Sequence, residues 1–264
     1  MKHIKHYKIF ESNEPNFPTT REGVIEACER YEIKNYTIND DLSIDVDGSI
    51  GLYNKNLEHL PLKFNYVHGG FQCNRNKLKS LEGCPKTVGG DFVCYGNKLK
   101  SLEGCPQSVG GDFYCFTNDI ETLKGSPQTV DGDFYCDNNE LKSLKGCPQT
   151  VGGNFYCNNN KLVSLEGCPQ TVNGNFGCED NELKDLEHFP EVNGRIDLEE
   201  NPVDLLVHTF IENANSFMIE DFVDYEIVRN RDTVMLDRLQ TFIRDNDLEM
   251  PDLEEIKKEY KIIE

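Results

Sequence analysis

Apolar positions recur along the chain with a period of 21 residues. The segment LKSLEGCPKTVGGDFVCYGNK, from Leu78, is followed by LKSLEGCPQSVGGDFYCFTND, from Leu99. The same register continues through Ile120, Leu141, Leu162 and Leu183 and runs back to Leu57. A unit of this size cannot bury its own apolar face, so the period predicts turns stacked into a solenoid over about residues 46–203. Within a unit, Val88, Gly90, Phe92 and Cys94 alternate with Gly89, Asp91, Val93 and Tyr95, which predicts one half-buried strand. An asparagine follows each core cysteine or its equivalent, at Asn76, Asn97, Asn118, Asn139, Asn160, Asn181 and Asn201, placed to cap successive strands as a ladder. Two apolar residues at spacing three, such as Leu99 and Leu102, then lead into Gly104, Cys105 and Pro106, which leaves an extended or short 3₁₀ convex side.

The flanks read differently, as caps for a coil whose end turns would otherwise stand open. Thr19 with Glu22 fits a capping box opening a helix over about Arg21 to Tyr31. Tyr36 to Ile38 and Ser43 to Val46 then read as a hairpin around Asn39-Asp40-Asp41. After Pro202 the apolar spacing becomes helical, at Leu205, Leu206, Phe210 and Ile211 and again at Met235, Leu236, Leu239, Phe242 and Ile243. The expected division is a tail or leader at 1–18, a helix-hairpin cap at 19–45, the solenoid at 46–203 and a helical cap at 204–264. The expected fold class is a repeat solenoid, a parallel β coil with a small α+β N-terminal cap.

Composition narrows the chemistry. The formal net charge is -20, which disfavours nucleic acid and anionic lipid as partners and favours a basic or neutral one. No run of apolar residues is long enough for a membrane helix. Of the 11 cysteines, all but Cys28 fall into two repeat columns, Cys73 to Cys178 and Cys84 to Cys168, with Ser126 filling a gap in the second. Neighbours lie ten or eleven residues apart with no recurring histidine, so they read as small buried apolar residues, with neither a metal site nor disulfides expected. Gly-Gly-Asp before an aromatic residue resembles calcium-binding nonapeptides, but the period is wrong and the Asp91, Asp112, Asp133 column becomes Asn154 and Asn175. These side chains are expected to be solvated or to touch a partner. The six histidines fall at unrelated repeat positions, and no nucleophile or phosphate-loop motif occurs, so neither catalysis nor a cofactor is expected.

The outward columns hold the candidate site. Val93, Tyr114, Tyr135 and Tyr156 form one row, with Tyr95 and Phe116 beside it. Tyrosine offers a large, fairly rigid contact area with a polar tip, and a row of it on an open strand face suits a binding patch. The competing reading is that stacked rings simply stabilise adjacent rungs.

The motif V-x-G-x-F-x-C-x-x-N-x-L-x-x-L resembles the leucine-rich repeat, with Phe and Cys replacing two strand leucines. The Gly-Cys-Pro and Val-Gly-Gly elements, with the flanking Tyr36-Thr-Ile-Asn-Asp-Asp and Asn201-Pro-Val, also resemble repeat proteins of tailed phages. This resemblance implies a non-catalytic, cytoplasmic module that presents the concave strand face to a host or phage protein. Met1-Lys-His-Ile-Lys-His-Tyr-Lys-Ile-Phe-Glu-Ser resembles the leader of packaged internal phage proteins, which implies cleavage between Glu11 and Ser12. A virion component is therefore an alternative, and an acidic inhibitor of a nucleic-acid-binding host protein a further one.

Overall fold

Each repeat closes one turn of a coil, and equivalent residues of neighbouring turns pair in parallel register, Phe113 with Phe134 and Phe134 with Phe155. The computed structural model describes residues 17–208, 210–211 and 216–264, so the expected leader with Glu11 and Ser12 lies outside the described residues. The chain is a parallel β-solenoid with 21-residue turns.

The expected single strand over Val88 to Tyr95 is instead two strands of two residues, Thr87–Val88 and Phe92–Val93. They belong to different sheets. The valine sheet has nine strands, running from the antiparallel strand Tyr36–Ile38 to Glu191–Val192, and the phenylalanine sheet has eight, from Ile50–Gly51 to Ile196–Asp197. The corner between them is the Gly-Gly-Asp segment, where turns stack backbone on side chain. A Cβ on Gly132 would stand 2.2 Å from Asp112 Oδ1, and one on Gly153 2.1 Å from Asp133 Oδ1. Only glycine lets the chain bend that tightly against the turn before it.

Inside the coil, Phe71, Phe92, Phe113, Phe134, Phe155 and Phe176 stack with centroids 5.1–5.9 Å apart. All six are fully buried, each contributing roughly 2–3 kcal/mol by area. Phe64 meets one end of the column edge-on at 5.0 Å and Phe189 the other at 5.3 Å. The core cysteines and the leucine pairs, such as Leu99 with Leu102, complete the interior. The convex segments carry neither α-helix nor 3₁₀ turn, and five of them bend at a glycine with positive φ, such as +88° at Gly104 and +90° at Gly125, while His188 takes that place in the last, at +66°.

The asparagine ladder forms as expected. Asn139 donates from Nδ2 to the carbonyls of Cys136 (3.0 Å) and of Cys115 in the preceding turn (3.2 Å), while its Oδ1 accepts from the Ile120 amide (3.1 Å). The residue before each ladder asparagine is left-handed, φ +53° at Thr117 and +54° at Asn138, which turns the backbone to meet the amide.

At the amino end, the helix Arg21–Arg30 is capped by Thr20, not Thr19: Thr20 Oγ1 accepts from the Gly23 amide at 3.1 Å. With the helix starting at Arg21, Thr20 is the residue whose hydroxyl faces the free amides. The hairpin pairs Tyr36–Ile38 with Ile44–Val46. The carboxy-terminal region holds the helices Asp204–Val207, Ser216–Asp224, Leu236–Asp245 and Leu253–Glu259 around Phe210, Phe222 and Phe242. It also contains a three-stranded sheet, Val228–Arg229, Thr233–Met235 and Lys261–Ile263, that the helical spacing does not announce. Tyr260 ties this region to the last turns, donating to the Lys184 carbonyl at 2.9 Å, as does Arg231, paired with the buried Asp185 at 3.1 Å.

Candidate aromatic binding face

The outer side of the phenylalanine sheet carries two rows of side chains. The first follows each buried phenylalanine: Gln72, Val93, Tyr114, Tyr135 and Tyr156 in successive turns. The second lies two residues further on: Tyr53, Asn74, Tyr95, Phe116, Asp137, Asn158 and Glu179. Strand parity sends both rows outward, and the parallel register puts every member directly over its equivalent.

The expected site residues do meet here. Tyr114 and Tyr135 stack at 4.9 Å, Tyr135 and Tyr156 at 5.1 Å, and Tyr95 and Phe116 at 4.4 Å. Tyr114 also meets Phe116 edge-on at 6.3 Å, which joins the two rows. Val93 contributes little surface, because it is only 8% exposed on the floor of a cleft that Tyr95 and Tyr114 also line. The rings lie face to face along the coil axis, so neighbouring rings cover one another's faces and present their edges outward.

The tyrosine hydroxyls are tied down as well. Tyr114 donates to Asp112 Oδ2 at 2.7 Å and Tyr135 to Asp133 Oδ2 at 3.0 Å. Burial first, and then the adjacent carboxylate, push both phenols well above their ordinary range, so they remain protonated donors.

The aspartate column remains at the surface, with Asp91 exposed and Asp112 and Asp133 half-exposed, but one oxygen of each carboxylate is engaged within the coil. The Asp112 amide donates to Asp91 Oδ1 at 2.9 Å, that of Asp133 to Asp112 Oδ1 at 2.8 Å, and that of Asn154 to Asp133 Oδ1 at 2.7 Å. Asn175 and Arg195 continue the series. The column is a second ladder that caps the corner. Its signal in the sequence is the exchange of Asp for Asn, which keeps the oxygen that accepts from the next turn and gives up the charge and the second acceptor.

At the amino-terminal end the two rows open into a cleft of about 560 Å³. Tyr53, Asn74 and Arg75 line it together with Tyr95, Phe116 and Asp91. Tyr53 is half exposed, and Arg75 lays its guanidinium 5.7 Å from the Tyr95 ring centroid. These three residues escape a search for aromatic columns because Asn74 interrupts the column.

At the other end the face is acidic. Glu179 and Asp197 share a hydrogen bond, and that bond, then partial burial, then the charges of Asp197, Glu199 and Asp180 raise Glu179 to about 7. Asp137 is also raised, chiefly by burial, and its Oδ1 is buried without a partner.

All eleven cysteines are free and buried, and burial pushes up the thiols of Cys84, Cys94, Cys105, Cys115, Cys136, Cys147, Cys157 and Cys168, Cys147 to about 12. They stay as thiols, with Cys105 Sγ donating to the Gly125 carbonyl at 2.9 Å. Among the described residues no group of three or more His, Cys, Asp or Glu is placed to hold a metal ion, and no helix is long and apolar enough to cross a membrane. Compared with known proteins, the chain matches no family model, no curated protein and no solved structure.

Proposed function

We propose that this protein is a non-catalytic binding module of the leucine-rich-repeat kind, encoded by a tailed phage, that captures a host or phage protein on its aromatic face. The observation that carries the reading is the doubled outward row, Tyr114, Tyr135 and Tyr156 beside Tyr95 and Phe116, held in a fixed geometry by ring stacking and by hydroxyl bonds to Asp112 and Asp133. A rigid aromatic surface loses little conformational freedom on association, so more of its contact energy remains as affinity. The acidic end, with Glu179, Asp180, Asp197 and Glu199, would steer a basic surface into place.

Replacing Tyr114, Tyr135 and Tyr156 together by Ser should abolish capture of the partner from infected cells while leaving the far-ultraviolet spectrum unchanged. Undiminished capture by the triple variant would remove the proposal. A packaged virion protein is the second reading, favoured by Ile9-Phe10-Glu11 in the leader-like amino terminus. Mass spectrometry of purified particles tests it: a peptide beginning at Ser12 supports packaging, and complete absence of the chain from particles excludes it.

A further inference from the structure

The outer column Tyr53, Asn74, Tyr95, Phe116 is a ring stack with one ring missing. Tyr95 is covered on one side by Phe116, nearly parallel at 8° and 4.4 Å. Its other face looks toward the turn of Asn74, where no ring stands. What lies over that face is the exposed Arg75 guanidinium at 5.7 Å, looser than the face-to-face contacts of the outer stacks, and an incoming ring would displace it. Tyr53 bounds the gap from the far side, two rungs from Tyr95 and therefore roughly 9.5 Å away along the coil. A planar ring inserted midway would sit about 4.8 Å from each, the spacing that the neighbouring stacks already adopt.

The floor of the gap is polar. Asn74 is only 7% exposed and lines the cleft, yet its side-chain amide makes no hydrogen bond among the described residues. Its backbone carbonyl is engaged, by the Asn54 amide and by Asn76 Nδ2. With no partner among the described residues, the donor and acceptor of this amide meet only the solvent of the cleft and are free to bond whatever enters it.

We infer that this slot receives one aromatic side chain of the partner protein, a tyrosine or tryptophan, whose ring completes the stack between Tyr53 and Tyr95 and whose hydroxyl or indole N–H donates to Asn74 Oδ1. The inference rests on the protein-binding reading above and names the anchor through which it operates. The face of Tyr95, which already takes the planar guanidinium of Arg75, favours a planar π system over a puckered sugar. The chain's charge of -20 opposes a nucleotide's phosphate. The cleft volume of about 560 Å³ exceeds one ring and leaves space for the backbone that carries it.

The test uses the purified, ¹⁵N-labelled chain and free amino-acid amides, so its outcome does not depend on capture of any partner. The slot can fail while the tyrosine row stands, and the row can fail while the slot stands. N-acetyl-tyrosinamide and N-acetyl-tryptophanamide should shift the Asn74 side-chain resonances saturably. N-acetyl-phenylalaninamide should bind roughly fivefold more weakly, for want of one hydrogen bond. Asn74→Ala should bring the tyrosine and phenylalanine derivatives to equal affinity. Asn74→Tyr should abolish binding and raise the melting temperature, because the protein then supplies the missing ring itself. The inference is overturned if none of the derivatives moves Asn74, if Asn74→Tyr binds as well as the parent, or if methyl glucoside or adenosine monophosphate saturates the slot in preference to them.

Discussion

The same repeat builds two aromatic columns, one inside the coil and one outside, and they obey different rules. The inner column has a phenylalanine in every one of six successive turns, and Phe64 and Phe189 close its ends. The outer rows are broken. One passes from Gln72 and Val93 into three tyrosines and then to Gly177, and the other from Tyr53 through Asn74 to Tyr95, Phe116 and Asp137. An interior void forfeits contacts that nothing else replaces, so every inner position must be filled. Solvent fills an outer gap without penalty, which leaves the outer composition free to differ from turn to turn. The continuous column specifies the fold, and the interrupted one is where a surface can acquire a specific contact.

The largest test of that contrast compares Phe134 with Tyr135, adjacent residues facing opposite ways. Phe134→Ala should destabilise the coil by about 3–5 kcal/mol, as expected for deleting a fully buried ring that cannot be refilled. Tyr135→Ala should lose about 1–1.5 kcal/mol, from partial burial, two stacking contacts and one hydrogen bond to Asp133. Denaturant titrations monitored by circular dichroism measure both. Similar losses would show that the outer rings are as structural as the inner ones, and the binding reading would lose its main support.

The two ladders sharpen the same comparison. Asn139→Ala strands the Ile120 amide and withdraws the donor from the Cys115 and Cys136 carbonyls, all inside the coil, and should destabilise by roughly 2–3 kcal/mol. Asp91→Asn keeps the oxygen that accepts from the Asp112 amide and should change stability by less than about 0.5 kcal/mol. Melting curves of the two variants side by side give the answer. A large effect of Asp91→Asn would mean that the charge itself matters, against the cap geometry described above.

What could be read in the sequence follows this division. The period exposed Phe92, Cys94, Leu99, Leu102 and the asparagine ladder, because those positions are fixed by packing and so repeat almost without variation. The corner at Gly89-Gly90-Asp91 stayed hidden because Val88 and Phe92 both point inward, whether the chain runs straight or bends between them. The carboxy-terminal sheet was missed for another reason: strands of two or three residues, such as Val228–Arg229, are too short to show alternation. The rings of Tyr114, Tyr135 and Tyr156 were visible as a row, but that their faces would cover one another depends on side-chain torsions no pattern encodes. Asn74 carries no signal of its own and becomes notable only when the register lays it between Tyr53 and Tyr95.

The smallest expected effect lies at the acidic end of the face, where Glu179 offers a contrast with the neutral aromatic turns. Its folded pKa of about 7 stands above the ordinary 4.5, because the hydrogen bond to Asp197 requires a proton and partial burial opposes a second charge. Below pH 4.5 the carboxyl is protonated in folded and unfolded chains alike, and the bond to Asp197 contributes fully. As pH rises, the unfolded chain releases its proton first, and that contribution declines until the folded chain also ionises near pH 7, beside Asp197. Carboxylates held low by ion pairs, such as Glu166 with Lys145, lose their contribution only at more acid pH, and comparison with Glu179→Gln separates the Glu179 effect from the other raised carboxyls, Asp137, Asp185 and Asp204. Screening by solvent keeps the magnitude modest, a melting-temperature change on the order of 1–3 °C. The protein should therefore melt higher at pH 5 than at pH 8, and Glu179→Gln, which can donate to Asp197 at either pH, should reduce the difference by raising the pH 8 value. If the variant and the parent show the same pH dependence, the carboxyl pair does not share a proton, and the acidic end carries an additional full negative charge toward any basic partner.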